Sequence, residues 1–181
     1  MKTIKQQTGF TLVELVTTVT IVGVLAAVAI PRFANLSTDA RESVIKNTAD
    51  AMKHANDTIF SKASSLNIVN LSSGNANAFV SLGGQTINIH YGFAANAAEL
   101  YKALVAHPDV AVGTVDNSAL GATALLYNSS YTGITAATLI GPDGTIRHTK
   151  AQDPSKCEAG YTKAASTSTV PMVLILVSDC S

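Results

Sequence analysis

The spacing of apolar positions changes sharply along the chain. From Phe10 to Ile30 the sequence FTLVELVTTVTIVGVLAAVAI carries a single charge, Glu14, over 21 residues. As a helix rising about 1.5 Å per residue, this stretch crosses roughly 30 Å of hydrocarbon. After Pro31 the apolar residues recur at steps of mostly three or four, through Phe33, Leu36, Ala40, Val44 or Ile45, Ala49, Met52, Ala55, Ile59, Ala63 and Leu66. That period predicts an amphipathic helix. Glu42 with Lys46 and Asp50 with Lys53 sit at helical spacings that suit a solvated opposite face. One long helix, about Thr11 to Ser64, is therefore expected. Pro31, which lacks an N–H, should kink it, and Gly23 is a second weak point.

The remainder alternates at period two, with turn chemistry between short runs. Asn67 to Asn77 reads as a surface loop, and Gly83-Gly84 as a turn ahead of a strand at Thr86–Phe93. Ala94 to His107 reads as a short helix stopped before Pro108. Strands are expected at Ala122–Tyr127, Ala136–Ile140 and Thr145–Thr149, the last two joined by the turn Gly141-Pro142-Asp143-Gly144. Val170–Val177, nearly all apolar, should be a strand covered on both faces. Between Cys157 and Cys180 there is room for a strand, a polar Ser/Thr loop with an exposed tip and a second strand. A long helix followed by antiparallel strands places the chain in the α+β class.

Charge changes this picture little. Twelve basic residues balance twelve acidic ones, so nothing favours nucleic acid as a partner. Lys2 and Lys5 precede the apolar run, and the positive-inside rule then leaves the globular part outside the cytoplasm. An ordinary secretory signal peptide cleaved after Ala29, at Ala27-Val28-Ala29, is the rival reading. Against it stand the length of the apolar run and the carboxylate of Glu14, which in a membrane helix costs on the order of 3 kcal/mol.

Chemistry is sparse. His54, His90, His107 and His148 lie on different elements with no ligand spacing, and neither a nucleophile elbow nor a phosphate loop occurs. No enzymatic activity, cofactor or metal is expected. Asn35 and Asn70 open Asn-x-Ser matches, a glycosylation motif short enough to arise by chance.

Gly9-Phe10-Thr11-Leu12-Val13-Glu14-Leu15, with a short basic leader before it and a long apolar helix after it, resembles the processing and assembly motif of type IV prepilins. The resemblance implies removal of a leader, residues 1–9, by a prepilin peptidase that cuts between Gly9 and Phe10 and methylates the new amine on Phe10. It assigns Glu14 to subunit recognition, where a buried carboxylate can neutralise a neighbour's N-terminal amine. It implies the type IV pilin fold, with residues 10–31 as the transmembrane and filament-core half of the helix and 32–181 as the globular head. Loss of Lys2 and Lys5 leaves ten basic against twelve acidic side chains. Given export, Cys157 and Cys180 are expected to pair, closing a loop worth about 3 kcal/mol, rather than to remain two buried thiols.

Pro31-Arg32-Phe33, Asp39-Ala40-Arg41, Cys157, Tyr161-Thr162, Pro171 and Cys180 extend the resemblance to mannose-sensitive haemagglutinin-type pilins of the type IVa class. That branch implies a Gram-negative bacterium, an inner-membrane prepilin, partners in the pilus assembly machinery, and a homo-oligomeric extracellular filament used for attachment. It also implies that Gly23–Pro31 is helical in the stored subunit and extends in the fibre. A type II secretion pseudopilin shares the N-terminal pattern.

Overall fold

The computed structural model describes residues 10–113, 125–126 and 143–181. Its contacts divide the chain into two units, Met1–Ser37 and Thr38–Ser181. Helix α1, Leu12–Ser65, runs through both, with Pro31 inside it. Its boundaries lie within one residue of those expected from periodicity.

In the second unit α1 earns its place by one face. Ile45, Ala49, Met52, Ile59 and Ala63, at steps of three, four or seven, are fully buried. They join one core with Val80, Ile87, Ile89, Leu100, Ile146 and Tyr161. On the polar face Lys46 pairs with Glu42, as the i,i+4 spacing predicts.

A three-stranded sheet follows, β1 (Phe79–Leu82), β2 (Gln85–His90) and β3 (Phe93–Ala94), all antiparallel. Two-residue loops join them, Gly83-Gly84 between the partners Leu82 and Gln85, and Tyr91-Gly92 between His90 and Phe93. Such loops match strand twist when both residues have positive φ. Gly83 and Gly84 supply this, at 57° and 79°. So do Tyr91 at 50° and Gly92 at 87°. A Cβ on Gly92 would stand 2.9 Å from the ring of Phe60, so glycine is also required there by space. The second turn divides the stretch read as one strand, Thr86–Phe93. Tyrosine in a left-handed position is uncommon enough that its sequence gave no turn signal.

The expected helix over Ala94–His107 is shorter. Ala94 pairs with Ile89 in the sheet, Asn96 caps α2 (Ala97–Lys102) by accepting from the Glu99 N–H at 2.9 Å, and Leu104–His107 is non-helical ahead of Pro108. Proline disfavours helix in the residue before it. The phenol of Tyr101 then donates to the carbonyl of Val110, 3.1 Å away, holding the connection against the next strand.

Five antiparallel strands form the other sheet: β4 (Val110–Gly113), β5 (Leu125–Leu126), β6 (Thr145–His148), β7 (Cys157–Thr162) and β8 (Met172–Val177), in the order β4-β6-β7-β8-β5. β8 lies between two neighbours and buries Val173 to Leu176 without alternation, as a strand covered on both faces must. β7 and β8 are the two strands expected between the cysteines, and the Ser/Thr tip between them is largely exposed. Cys157 and Cys180 form a disulfide with Cα atoms 5.0 Å apart. The expected strand Ala136–Ile140 and the residues Gly141-Pro142 lie outside the described residues, and of Ala122–Tyr127 only β5 lies within them. β1 and β4 were not expected from the sequence, since four residues make too short a pattern; β1 pairs with its hairpin neighbour β2, and β4 with β6, distant in sequence.

A buried polar cluster ties α1 to both sheets. Asn56 accepts at its side-chain oxygen from the backbone N–H of Ala94 and from the Tyr161 phenol, both at 3.2 Å, and that phenol also reaches the Ala94 carbonyl at 2.8 Å. Burial pushes the Tyr161 phenol far above the ordinary tyrosine range, so it stays a donor. Glu158, fully buried on β7, pairs with Arg147 on β6. Gly113 on β4 makes room for that arginine, since a Cβ there would lie 2.4 Å from its Cδ.

Candidate functional site

The N-terminal half of α1 differs from the rest of the described residues. Its apolar residues have nothing to pack on: Leu12, Val13, Leu15, Val19, Val24 and Ile30 are all more than half exposed, and Phe10 is 84% exposed. An 18-residue window of this helix has a mean hydropathy of 2.3 and no residue of it is buried. A soluble surface does not carry such a contiguous apolar patch without a partner.

Its polar groups are satisfied within the helix. Thr17 donates its hydroxyl to the Val13 carbonyl at 2.9 Å, Thr18 to that of Glu14 at 2.9 Å and Thr20 to that of Thr17 at 2.9 Å. No hydroxyl in this run therefore needs water, which suits lipid or an apolar protein interior.

Glu14 has a local role that the residue pattern could have revealed. Its carboxylate accepts from the Thr11 backbone N–H at 3.0 Å and from the Thr11 hydroxyl at 2.9 Å, while its own N–H donates to that hydroxyl at 3.3 Å. Thr-x-x-Glu at the first turn is a reciprocal capping box, satisfying two of the orphan N–H groups that every helix start presents. The glutamate thus costs less in an apolar setting than a bare carboxylate would, because it is held by donors at the end of the helix.

Of the other residues singled out, Gly9 lies outside the described residues. Gly23 and Pro31 are both helical, and nothing lies within 4 Å of a Cβ placed on Gly23. Cys157 and Cys180 are joined far along the sequence from Glu14. The histidines that looked scattered are not all separate, since His107 and His148 both come close to Asp109. No three metal-ligating side chains gather in a geometry able to hold a metal ion among the described residues.

Residues 4–30 match the prokaryotic N-terminal methylation motif. The chain is also 43% identical over 47 residues to the Type IV narrow pilus major component PilA5 of Thermus thermophilus. That match covers 26% of this chain and 40% of the relative's length. No solved structure matches the chain.

Proposed function

We propose that the chain is a prepilin, the structural subunit of a type IV pilus of the mannose-sensitive haemagglutinin type, whose work is packing into a surface filament for attachment. The observation that carries this reading is the combination of a methylation motif over residues 4–30 with a helix whose apolar side chains from Leu12 to Ile30 are uncovered. One segment then has two successive environments. In the inner membrane, hydrocarbon surrounds it; in the filament, the same segments of neighbouring subunits do.

Residues 1–9 are the leader, 10–31 the membrane and filament-core segment, and 32–181 the exported head. Cleavage after Gly9 by a prepilin peptidase creates an amine on Phe10, which the same enzyme methylates. Methylation keeps the charge, and this cation is the partner for the Glu14 carboxylate of an adjacent subunit. A charge pair in an apolar core is stable only when both members are present, because an uncompensated buried charge costs about 3–5 kcal/mol. That penalty makes Glu14 a test of correct register between subunits.

The proposal is tested by producing the chain together with a type IV assembly system and examining the sheared cell-surface fraction by electron microscopy. Filaments that bind antibodies to the head are expected in the wild type and not with Glu14→Val. Subunits confined to the inner membrane or to short periplasmic assemblies, with no surface fibre, would favour the pseudopilin reading instead.

A further inference from the structure

Three histidines accept a backbone N–H at Nδ1, and one of them does so across the fold. His107 accepts from Asp109 at 3.2 Å and His148 from Lys150 at 3.3 Å, each donor two residues along the chain, so neither bond joins separate parts of the head. His90, the last residue of β2, accepts from Ser73, 17 positions away, at 2.9 Å. A backbone N–H can only donate, so Nδ1 of His90 carries no proton and the neutral ring holds its hydrogen on Nε2. The Ser73 hydroxyl stands 3.0 Å from the same nitrogen, and the imidazole lies against the Tyr91 ring with centroids 4.4 Å apart.

The bond at His90 fastens the loop between α1 and β1. Backbone bonds fix that loop at two points: the Tyr91 N–H donates to the Leu71 carbonyl at 2.8 Å, and the Ile89 N–H to that of Ala78 at 2.8 Å. Peptide groups do not titrate, so both anchors are indifferent to pH. Between them, residues 72–77 bond among themselves and to Ala78 and Phe79, with the Asn75 N–H on the Ser72 carbonyl at 2.9 Å and the Asn77 N–H on the Asn75 side chain at 2.9 Å. Among the described residues their one hydrogen-bonded tie to β2 is the pair of contacts at His90. Residues 73–77 are exposed, so burial adds little to that tie.

We propose that His90 is an acid-released clasp on this loop: a proton on Nδ1 removes the lone pair that receives the Ser73 N–H and lets residues 72–77 come away from β2 between their fixed ends at Leu71 and Ala78. The protonated nitrogen is itself a donor, which the Ser73 hydroxyl can accept and the Ser73 N–H cannot. The charged groups that face the ring from other elements are Lys163, after β7, and Asp143, before β6, and these two pair with each other at 2.8 Å. Desolvation, with Lys163 second, holds the imidazole below the ordinary histidine range against the pull of Asp143. The open loop therefore takes the proton first as pH falls. The clasp is fully closed above about 6.5 and is lost progressively below it.

Amide hydrogen exchange of the full chain in detergent micelles reads the clasp at Ser73, with rates at about pH 7.5 and about pH 5 divided by those of an unstructured peptide of the same loop. In the wild type, protection at Ser73 should fall severalfold at the lower pH while the amides of β7 and β8 keep theirs. In His90→Asn, whose side-chain oxygen can take the place of Nδ1 without titrating, it should stay level. If that variant is misfolded, the wild-type ring decides. Nitrogen NMR of the chain carrying isotope-labelled histidine should show neutral His90 with its proton on Nε2, titrating in step with the loss at Ser73. A level wild-type protection overturns the clasp. So does an equal fall in His90→Asn, a fall shared by β7 and β8, or a neutral ring with its proton on Nδ1.

Discussion

At Glu14 an observed role, the cap, meets a proposed one, subunit recognition, and the residue scale separates them. The capping box with Thr11 needs an acceptor at the end of a three-carbon reach, which glutamine also supplies. Recognition of a cationic amine on the next subunit needs the charge. Glu14→Gln should therefore keep the first turn of α1 while losing fibres, and Glu14→Val should lose both, at a helix cost of about 0.5–2 kcal/mol. Fibre yield on a sheared-pilus gel reads the difference; normal yield from Glu14→Gln would reduce the residue to a cap. Glu14 stands out in the sequence because a charge in an apolar run is conspicuous, and its cap is equally legible in Thr11-Leu12-Val13-Glu14. Other decisive residues had no such visibility. Asn56 reads as one more polar position on a helix, yet it accepts from Ala94 and Tyr161 in the interior. Tyr161→Phe keeps the ring's packing and removes the donor shared by those acceptors, so it should lower the stability of the folded chain by about 1–3 kcal/mol, read as a denaturation midpoint.

Elements differ in how far local sequence determines them. The second half of α1 repeats its apolar stripe over six turns or more, and β8 is an unbroken apolar run, so both were legible within a few residues. The Gly83-Gly84 hairpin was legible for a conformational reason, the need for positive φ at both positions. β1 and β4 were not, because four residues make too short a pattern, and the turn at Tyr91-Gly92 was not, because tyrosine gives no signal for its positive φ. β4 owes its place to β6, and Gly113 within it to the space Arg147 occupies. Gly113→Ala should accordingly displace Arg147 from Glu158 and destabilise the five-stranded sheet, by about 3–5 kcal/mol if the buried pair is broken outright. Loss of protection in β6 and β7 amides by hydrogen exchange would report it. The disulfide is an element-scale device too, closing the far end of the β7–β8 hairpin from its exposed tip. Cys157→Ser, Cys180→Ser and the double variant should be destabilised alike, by about 3 kcal/mol. A single variant with wild-type stability would break that account. In the apolar half of α1, Pro31 withholds an N–H from the Ala27 carbonyl, a defect lipid punishes and subunit packing can absorb. The proposed extension of Gly23–Pro31 in the fibre rests on this, and a fibre reconstruction showing continuous helix there would refute it.

The whole molecule joins an uncovered apolar helix to a head that folds around the other half of the same helix. On the proposed reading, assembly gives the first part its partner. The class of the proposed task was visible in the sequence, since Gly9-Phe10 opens a long apolar run that holds Glu14. Which surface a filament of such chains would attach to was not, because among the described residues the head's distinctive chemistry lies in buried clusters. The central claim is that the mature chain begins at the boundary between polar leader and apolar helix. Intact mass and N-terminal sequencing of the chain recovered from the cell surface address it directly. The account predicts a mature chain starting at Phe10 with one methyl group on its amine, retaining the whole apolar segment. A chain starting at Ile30, with that segment removed, would contradict it.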